Sequence, residues 1–230
     1  MYKKSAPETI QAMFASIAQN YDRTNTTFTF GLNKLWNQRL VHALKGSQCL
    51  LDLCAGTGEI AFSFLKKNPQ SEAILLDFCP EMLEMAQKKG NQFHGRFEIL
   101  QADAQSIPLA DKSVNGVSIA YGIRNITDPV RCFEEVYRVL IADGRFGILE
   151  ATRPSSWTLR KGHRLYTSLI LPFIGKLTAK NREAYKYLAS SVETFSTPET
   201  LETVLKKVGF QQIERYPLMG GITTLFVAVK

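Results

Sequence analysis

The segment LLDLCAGTGEIA, residues 50–61, places two glycines, Gly56 and Gly58, where an apolar run gives way to a helix-forming one. Glycine at such a turn lets the main chain approach a ligand that a Cβ would hold off. Read as Gly56-x-Gly58-x-x-Ala61, the segment also fits a dinucleotide-binding fingerprint, and Asp77, 19 residues beyond Gly58, stands where an acid would hold a ribose. Spacing alone does not choose the ligand; charge does. Asp52 and Glu59 flank the loop and Asp103 follows the third apolar segment, so a pyrophosphate would meet carboxylates. One unscreened contact of that kind at about 4 Å costs about 1–4 kcal/mol. S-adenosylmethionine has no phosphate and presents an ammonium and a sulfonium, which makes it the expected ligand ahead of a nicotinamide dinucleotide.

The elements that must position these residues follow from periodicity. CLLDL (49–53), EAILLD (72–77), RFEILQAD (96–103), VNGVSIAYG (114–122) and RFGILEA (145–151) read as apolar strands alternating with helices. One helix opens near 58, one at Pro80, and one at Pro129 behind Asp128 as cap; this last is expected to run to Gly144. Such alternation calls for an open, mostly parallel sheet covered on both faces. Ahead of it lie a helix from Pro7, with Ile10, Met13, Phe14, Ile17 and Tyr21 on one face, and another from about Leu32. After it come a helix from Pro198 to Gly209 and two strands, QQIERYPL and GITTLFVAVK, too close for a crossover helix and therefore a hairpin. One domain over 1–230 results. It divides into an N-terminal helical lid (1–48), a cofactor-binding core (49–151), an acceptor-side helical insertion (152–195) and a C-terminal helix and hairpin (196–230).

With 45% hydrophobic and 21% charged residues in 230, the chain has the composition of a packed globule, and disorder is excluded. Cys49, Cys54, Cys79 and Cys132 form no CxxC pair, which argues against zinc or a disulfide framework, and Cys54 reads as a small hydrophobe in the loop. No metal is expected. No signal peptide or long apolar span is present, and a cytoplasmic location is expected. The net charge of +7 is uneven, acidic in the centre and basic at both flanks. Residues 153–186 hold eight basic side chains against Glu183, interleaved with Leu165, Leu169, Ile170 and Phe173. Basic plus apolar suggests an anionic membrane surface or a greasy anionic ligand more than nucleic acid, against the plainer reading of a solvated helical pair.

Gly-x-Gly, the ribose acid, QADA (101–104) and the antiparallel last strand, in that order, resemble the class I, seven-stranded Rossmann-like methyltransferases. That resemblance implies that Asp77 holds the ribose, that Asp103 and Ala104 meet the adenine edge, and that the loop around Cys54, Gly56 and Thr57 takes the methionine end, with Asp52 and Gly58 also in the cofactor site. Closer likenesses lie outside the loop. YDRTNTTFTFGLNKLW (21–36), YGIRNITD (121–128) and RVLIADGRFGILEAT (138–152) resemble segments of the ubiquinone and menaquinone biosynthesis C-methyltransferases, over nearly the whole chain from about residue 13. Thr24, Thr29 and Asn33 stand where the first signature has Met, Ser and His. Ile141, Ala142 and Asp143 depart from the second, and Ala120 replaces a serine that resembles a cofactor contact in relatives.

The resemblance implies methylation of a ring carbon in a prenylated quinol, with demethylmenaquinol the first acceptor and the methoxy-benzoquinol precursor of ubiquinone the second. Such a carbon becomes nucleophilic when the neighbouring hydroxyl ionises, and a phenol of pKa near 10 is only about one part in a thousand ionised at pH 7. Arg124, following the fourth strand at the ligand-binding edge, would favour the phenolate; Asn125 would orient a quinol oxygen; Tyr21 or Asp22 would relay the proton. The structural alternative for Arg124 is an ion pair with Asp128 one turn on. His42, His94 and His163 are isolated from any motif. Competing functions are an RNA methyltransferase, for which no N-P-P-Y or D-P-P-Y motif is present, and a catalytically silent, membrane-associated S-adenosylmethionine-binding protein. A homo-oligomer is compatible with the sequence.

Overall fold

The structure, a computed structural model, describes residues 6–152, 157, 187, 191–192 and 195–230. The basic, apolar stretch 153–186 lies outside the described residues apart from Trp157.

Seven strands form one sheet: β1 (Cys49–Leu53), β2 (Glu72–Asp77), β3 (Phe97–Gln101), β4 (Val114–Ala120), β5 (Leu140–Ala151), β6 (Gln211–Leu218) and β7 (Thr223–Val229). Their order is β3-β2-β1-β4-β5-β7-β6. The first five run parallel; β7 is antiparallel to both β5 and β6, as the short connection through Met219–Gly221 demands. The strand order reverses at β1, between β2 and β4, and open α/β sheets bind ligands beyond the carboxyl ends of the strands at such a reversal.

Strand alternation fills both faces. Leu51, Leu53, Val117, Ile119, Ile148 and Phe226 face α6 (Pro129–Val139) and α7 (Pro198–Val208). Leu50, Leu75, Leu149, Leu225 and Val227 face α3 (Leu32–Ala43), α4 (Glu59–Lys67) and α5 (Pro80–Gly90). The third helix of the chain therefore packs on the sheet itself: Trp36, Leu40, Val41 and Leu44 are buried in this layer. Before it, α1 (Pro7–Ile17), a short 3-10 turn and α2 (Tyr21–Phe28) bring Ala18 and Tyr21 against Cys79 and Met82 at the start of α5. The helix α2 has no apolar stripe of its own, and the periodicity of the sequence passed over it.

The helix expected to reach Gly144 stops at Val139. Leu140 is already extended (ψ 139°) and Asp143 takes a left-handed conformation (φ 60°) that an α-helix cannot contain. Continuing into β5 pays off twice, because Asp143 and Gly144 exchange backbone hydrogen bonds with Lys230, and the Lys230 ammonium donates to the carbonyls of Tyr137, Arg138 and Leu140. A cation on the orphaned carbonyls of a helix end satisfies them and opposes the negative end of the dipole.

At the other end of α6, Asp128 Oδ1 accepts the N–H groups of Val130 (3.0 Å) and Arg131 (3.2 Å). Asp128→Ala should lower stability by about 0.5–2 kcal/mol, the range for losing an N-cap. Urea denaturation checks this, and an unchanged midpoint would remove the cap from the account.

Candidate active site

The loop after β1 is built from left-handed residues: Cys54 (φ 52°), Gly56 (φ 55°) and Gly58 (φ 80°). A Cβ on Gly58 would lie 2.4 Å from the Phe62 ring and 2.9 Å from Leu75, so no other residue fits there. At Gly56 the nearest atom to such a Cβ is on the Tyr21 ring, 3.9 Å away, which leaves the main chain open to a ligand. Asp77, ending β2, holds the loop in this shape. Its Oδ2 accepts the Gly56 N–H (2.8 Å) and its Oδ1 the Cys79 N–H (2.9 Å). A carboxylate offers roughly four acceptor positions, so about two remain for a pair of hydroxyls. Burial raises the Asp77 pKa, opposed by these hydrogen bonds. These open acceptor positions fit the hydroxyls of a ribose.

Asp52 has a different task. It is 1% exposed, and its Oδ2 accepts the Ala61 N–H (3.2 Å) in the first turn of α4 while Oδ1 accepts the Ser118 hydroxyl (2.7 Å) of β4. Gly58, at the N-cap, has no side chain to satisfy that turn, and the strand supplies the carboxylate instead. Burial pushes the Asp52 pKa up to about 7 despite both hydrogen bonds.

Thr57 is buried and donates to Asp22 Oδ1 (2.5 Å); the Lys89 ammonium, from α5, donates to Asp22, to Thr57 Oγ1 (3.0 Å) and to Glu59 (3.4 Å). One cation therefore ties α2, the loop and α5 together, and its two carboxylate partners leave no surplus positive charge for a pyrophosphate. Asp103 lies two residues past β3, where its carboxylate accepts the backbone N–H and side-chain amide of Gln105; Ala104 beside it is buried. Ala120 ends β4 and packs with Tyr121 against the α3 and α4 layer.

Beyond β4, Tyr121 has φ 56°, and Gly122 lies so near the loop that a Cβ on it would be 2.6 Å from Cys54 Cβ. The turn carrying Arg124 and Asn125 is thereby pressed against the loop carrying Gly56. Arg124 is buried and paired with Glu150 of β5, not with Asp128, which caps α6. Glu150 Oε1 receives the guanidinium and the Ala151 N–H, and Oε2 the Arg124 N–H (3.3 Å). Burial pulls the Arg124 pKa down, but the charge and hydrogen bond of Glu150 and the nearby Tyr21 and Tyr187 phenols together hold it raised. Asn125 Oδ1 accepts the Tyr187 hydroxyl (3.0 Å). Tyr21 has its phenol pKa raised by burial and lowered in part by its hydrogen bond with Asn25, and it feels both Arg124 and Asp77.

Asp77, Gly56, Tyr21, Arg124 and Asn125 thus meet around one strand edge, while Asp52 sits beneath it. Asn33, at the position of the family histidine, is buried in the α2–α3 corner and accepts the Thr29 hydroxyl (2.9 Å), so two departures from the signature satisfy each other. Glu150, Lys89, Tyr121 and Tyr187 were missed. Glu150 and Tyr121 lie in segments already singled out, but the ion pair spans 26 residues and no local pattern shows it.

The fold is that of a class I S-adenosylmethionine-dependent methyltransferase. A Thermotoga maritima structure described as a possible histamine N-methyltransferase superposes with a TM-score of 0.69 at 18% identity, over 95% of this chain and 98% of that one. A Haemonchus contortus N-methyltransferase, solved with S-adenosylhomocysteine and phosphomonomethylethanolamine, does so with a TM-score of 0.62 at 16% identity, covering 84% of this chain and 52% of its own. The chain belongs to the ubiE/COQ5 methyltransferase family, whose profile matches residues 2–230. The demethylmenaquinone methyltransferase of Protochlamydia amoebophila is 44% identical to it over 237 residues, 100% of this chain and 98% of the relative.

The buried acid gives a pH test. Its folded pKa of about 7 lies above the ordinary 3.8, so its contribution to stability is full below about pH 4 and lost as pH rises through 7. Asp52→Asn can still accept from Ala61 and donate to Ser118, and does not ionise. The melting temperature of this variant relative to wild type should therefore climb between pH 5 and pH 8, by the equivalent of a few kcal/mol. A difference flat in pH would show that Asp52 does not titrate there.

Proposed function

We propose that this chain methylates a ring carbon of demethylmenaquinol, with S-adenosylmethionine as methyl donor. The observation that carries the reading is the contact between the two halves of the site: a phosphate-free nucleoside cradle at Gly56 and Asp77, touched by the turn that presents Arg124 and Asn125. The name borne by the full-length relative points to the same acceptor.

When bound, S-adenosylmethionine supplies a sulfonium methyl; the new C–C bond forms at the ring carbon, the C–S pair stays on sulfur, and the ring proton leaves. Asp77 takes the ribose hydroxyls on its remaining acceptor positions. Asp103 and Ala104 border the adenine, and Cys54, Thr57 and Ala120 line the methionine end. On the acceptor side the Arg124 charge is countered by Glu150, so Arg124 acts more by directed hydrogen bonding than as a bare cation. Asn125, with its oxygen occupied by Tyr187, has its amide N–H groups for a quinol oxygen. Asp22 is committed to Thr57 and Lys89, which leaves Tyr21 as the relay for the hydroxyl proton. Alignment of methyl and ring carbon supplies the rest, on a scale of about 10⁵–10⁸ M effective molarity.

The prenyl tail makes a peripheral membrane encounter part of this proposal. No helix among the described residues is long and apolar enough to cross a membrane. Phe30 and Leu35, 74% and 58% exposed, add apolar surface beside Lys34, and residues 153–186 add basic and apolar side chains in sequence.

Purified protein given methyl-labelled S-adenosylmethionine should label demethylmenaquinol in preference to a methoxy-benzoquinol, and Asp77→Ala should weaken cofactor binding by about 1.5–3 kcal/mol in calorimetry. Absence of label on either quinol rejects the function, and unchanged affinity removes Asp77 from the cradle. In liposome flotation the protein should rise with anionic vesicles and release in high salt. Equal flotation with neutral vesicles would sink the electrostatic part.

A further inference from the structure

Among the described residues, three buried side-chain nitrogen or oxygen atoms have no hydrogen-bond partner: Asn37 Oδ1 in α3, Tyr121 Oη and Arg124 Nε. The last two lie three residues apart on the turn pressed against the cofactor loop. Buried polar groups are nearly always satisfied, and an orphan at a site asks for the group that completes it.

The backbone offers neither side chain an easy escape. The Tyr121 N–H is bound to the Leu149 carbonyl at 2.7 Å and the Arg124 N–H to Glu150 Oε2, so both ends of the turn are fastened to neighbouring residues of β5. Tyr121 holds φ 56°, unusual for an aromatic residue, and Gly122 behind it has no room to retreat from Cys54. The nearby Glu150 carboxylate, which receives Arg124 and the Ala151 N–H, makes no hydrogen bond with the phenol. Both orphans can donate, and what is absent is an acceptor oxygen.

We propose that the Tyr121 hydroxyl and the Arg124 Nε–H together receive the ionised hydroxyl oxygen of the acceptor. This rests on the quinol reading above and gives Tyr121 a place in it. The hydroxyl proton passes by way of Tyr21 to solvent before methyl transfer; Tyr121 keeps its own proton and only donates it in a hydrogen bond. Burial and the Glu150 charge raise the phenol pKa, which suits a donor that must stay neutral beside an anion.

Tyr121→Phe removes an unpartnered hydroxyl and preserves the ring, so folding and S-adenosylmethionine affinity should match wild type. With the phenolate less favoured, kcat at pH 7 should fall about tenfold to hundredfold and the ascending, acidic limb of its pH profile should move up by about one to two pH units, activity returning at high pH. A second readout does not need turnover: 4-nitro-1-naphthol, coloured when ionised, is titrated on the S-adenosylhomocysteine-loaded protein. Wild type should lower the pKa of the bound probe more than Tyr121→Phe does. If wild type methylates no quinol, the acceptor reading fails while the probe still decides on Tyr121. Unchanged kcat, a fall in kcat with an unmoved pH limb, or a probe that titrates alike on both proteins overturns the proposal and leaves the hydroxyl a packing feature or a water ligand.

Discussion

A carboxylate buried where water cannot reach it holds the active edge together. Asp52 stands in the middle of β1, surrounded by leucines, and ties two elements that would otherwise meet only through apolar contact: the first turn of α4 and the Ser118 hydroxyl of β4. The loop between β1 and α4 can then be short, left-handed and rich in glycine, because the helix it feeds is capped from below. Without that cap, Gly58 would leave the start of α4 unsatisfied at the point where the main chain must stay open to a ligand.

The acceptor side depends on a second buried charge, handled in the opposite way. Arg124 is neutralised by Glu150 across two strands' ends, and the pair is fixed by β4 and β5 lying side by side in register, Ala120 opposite Leu149. A buried ion pair of this kind adds little net stability relative to an apolar pair, yet losing one partner is costly. Its effect here is geometric. It sets the azimuth of the guanidinium, and with it the direction of the buried, unpartnered Nε–H.

Periodicity and composition made the parallel core legible almost residue by residue, because each strand there is an apolar run bounded by a turn: CLLDL and EAILLD are β1 and β2 as they stand. The hairpin followed from a connection too short for anything else. Legibility failed where satisfaction came from far away. Leu140 to Gly144 looks helical on its own, and pairing with Val114 of β4 and with Lys230 makes it a strand. The helix α2 is polar and is held by Asp22 reaching Thr57 and Lys89, contacts 35 and 67 residues distant in sequence. In the candidate site, Gly56 and Asp77 stand out by type and spacing, and Arg124 through the family resemblance of residues 121–128 and its place after the fourth strand. Glu150 and Tyr121 do not, since an acid at the end of an apolar strand and an aromatic beside a glycine have many ordinary uses.

The placement of β7 between β5 and β6 bears on how the molecule is made. Among the described residues, β6 pairs with no other strand, and the outer edge of β5 is covered by residues 223–229. During synthesis the five parallel strands can assemble while this edge is still bare, a row of unpaired backbone groups flanked by Phe146, Ile148 and Leu149. The same edge carries Glu150, opposite Thr224. Without β7 the edge of β5 would expose its backbone groups and Glu150 would lose the strand beside it, so one pairing both closes this side of the sheet and braces the Arg124 partner.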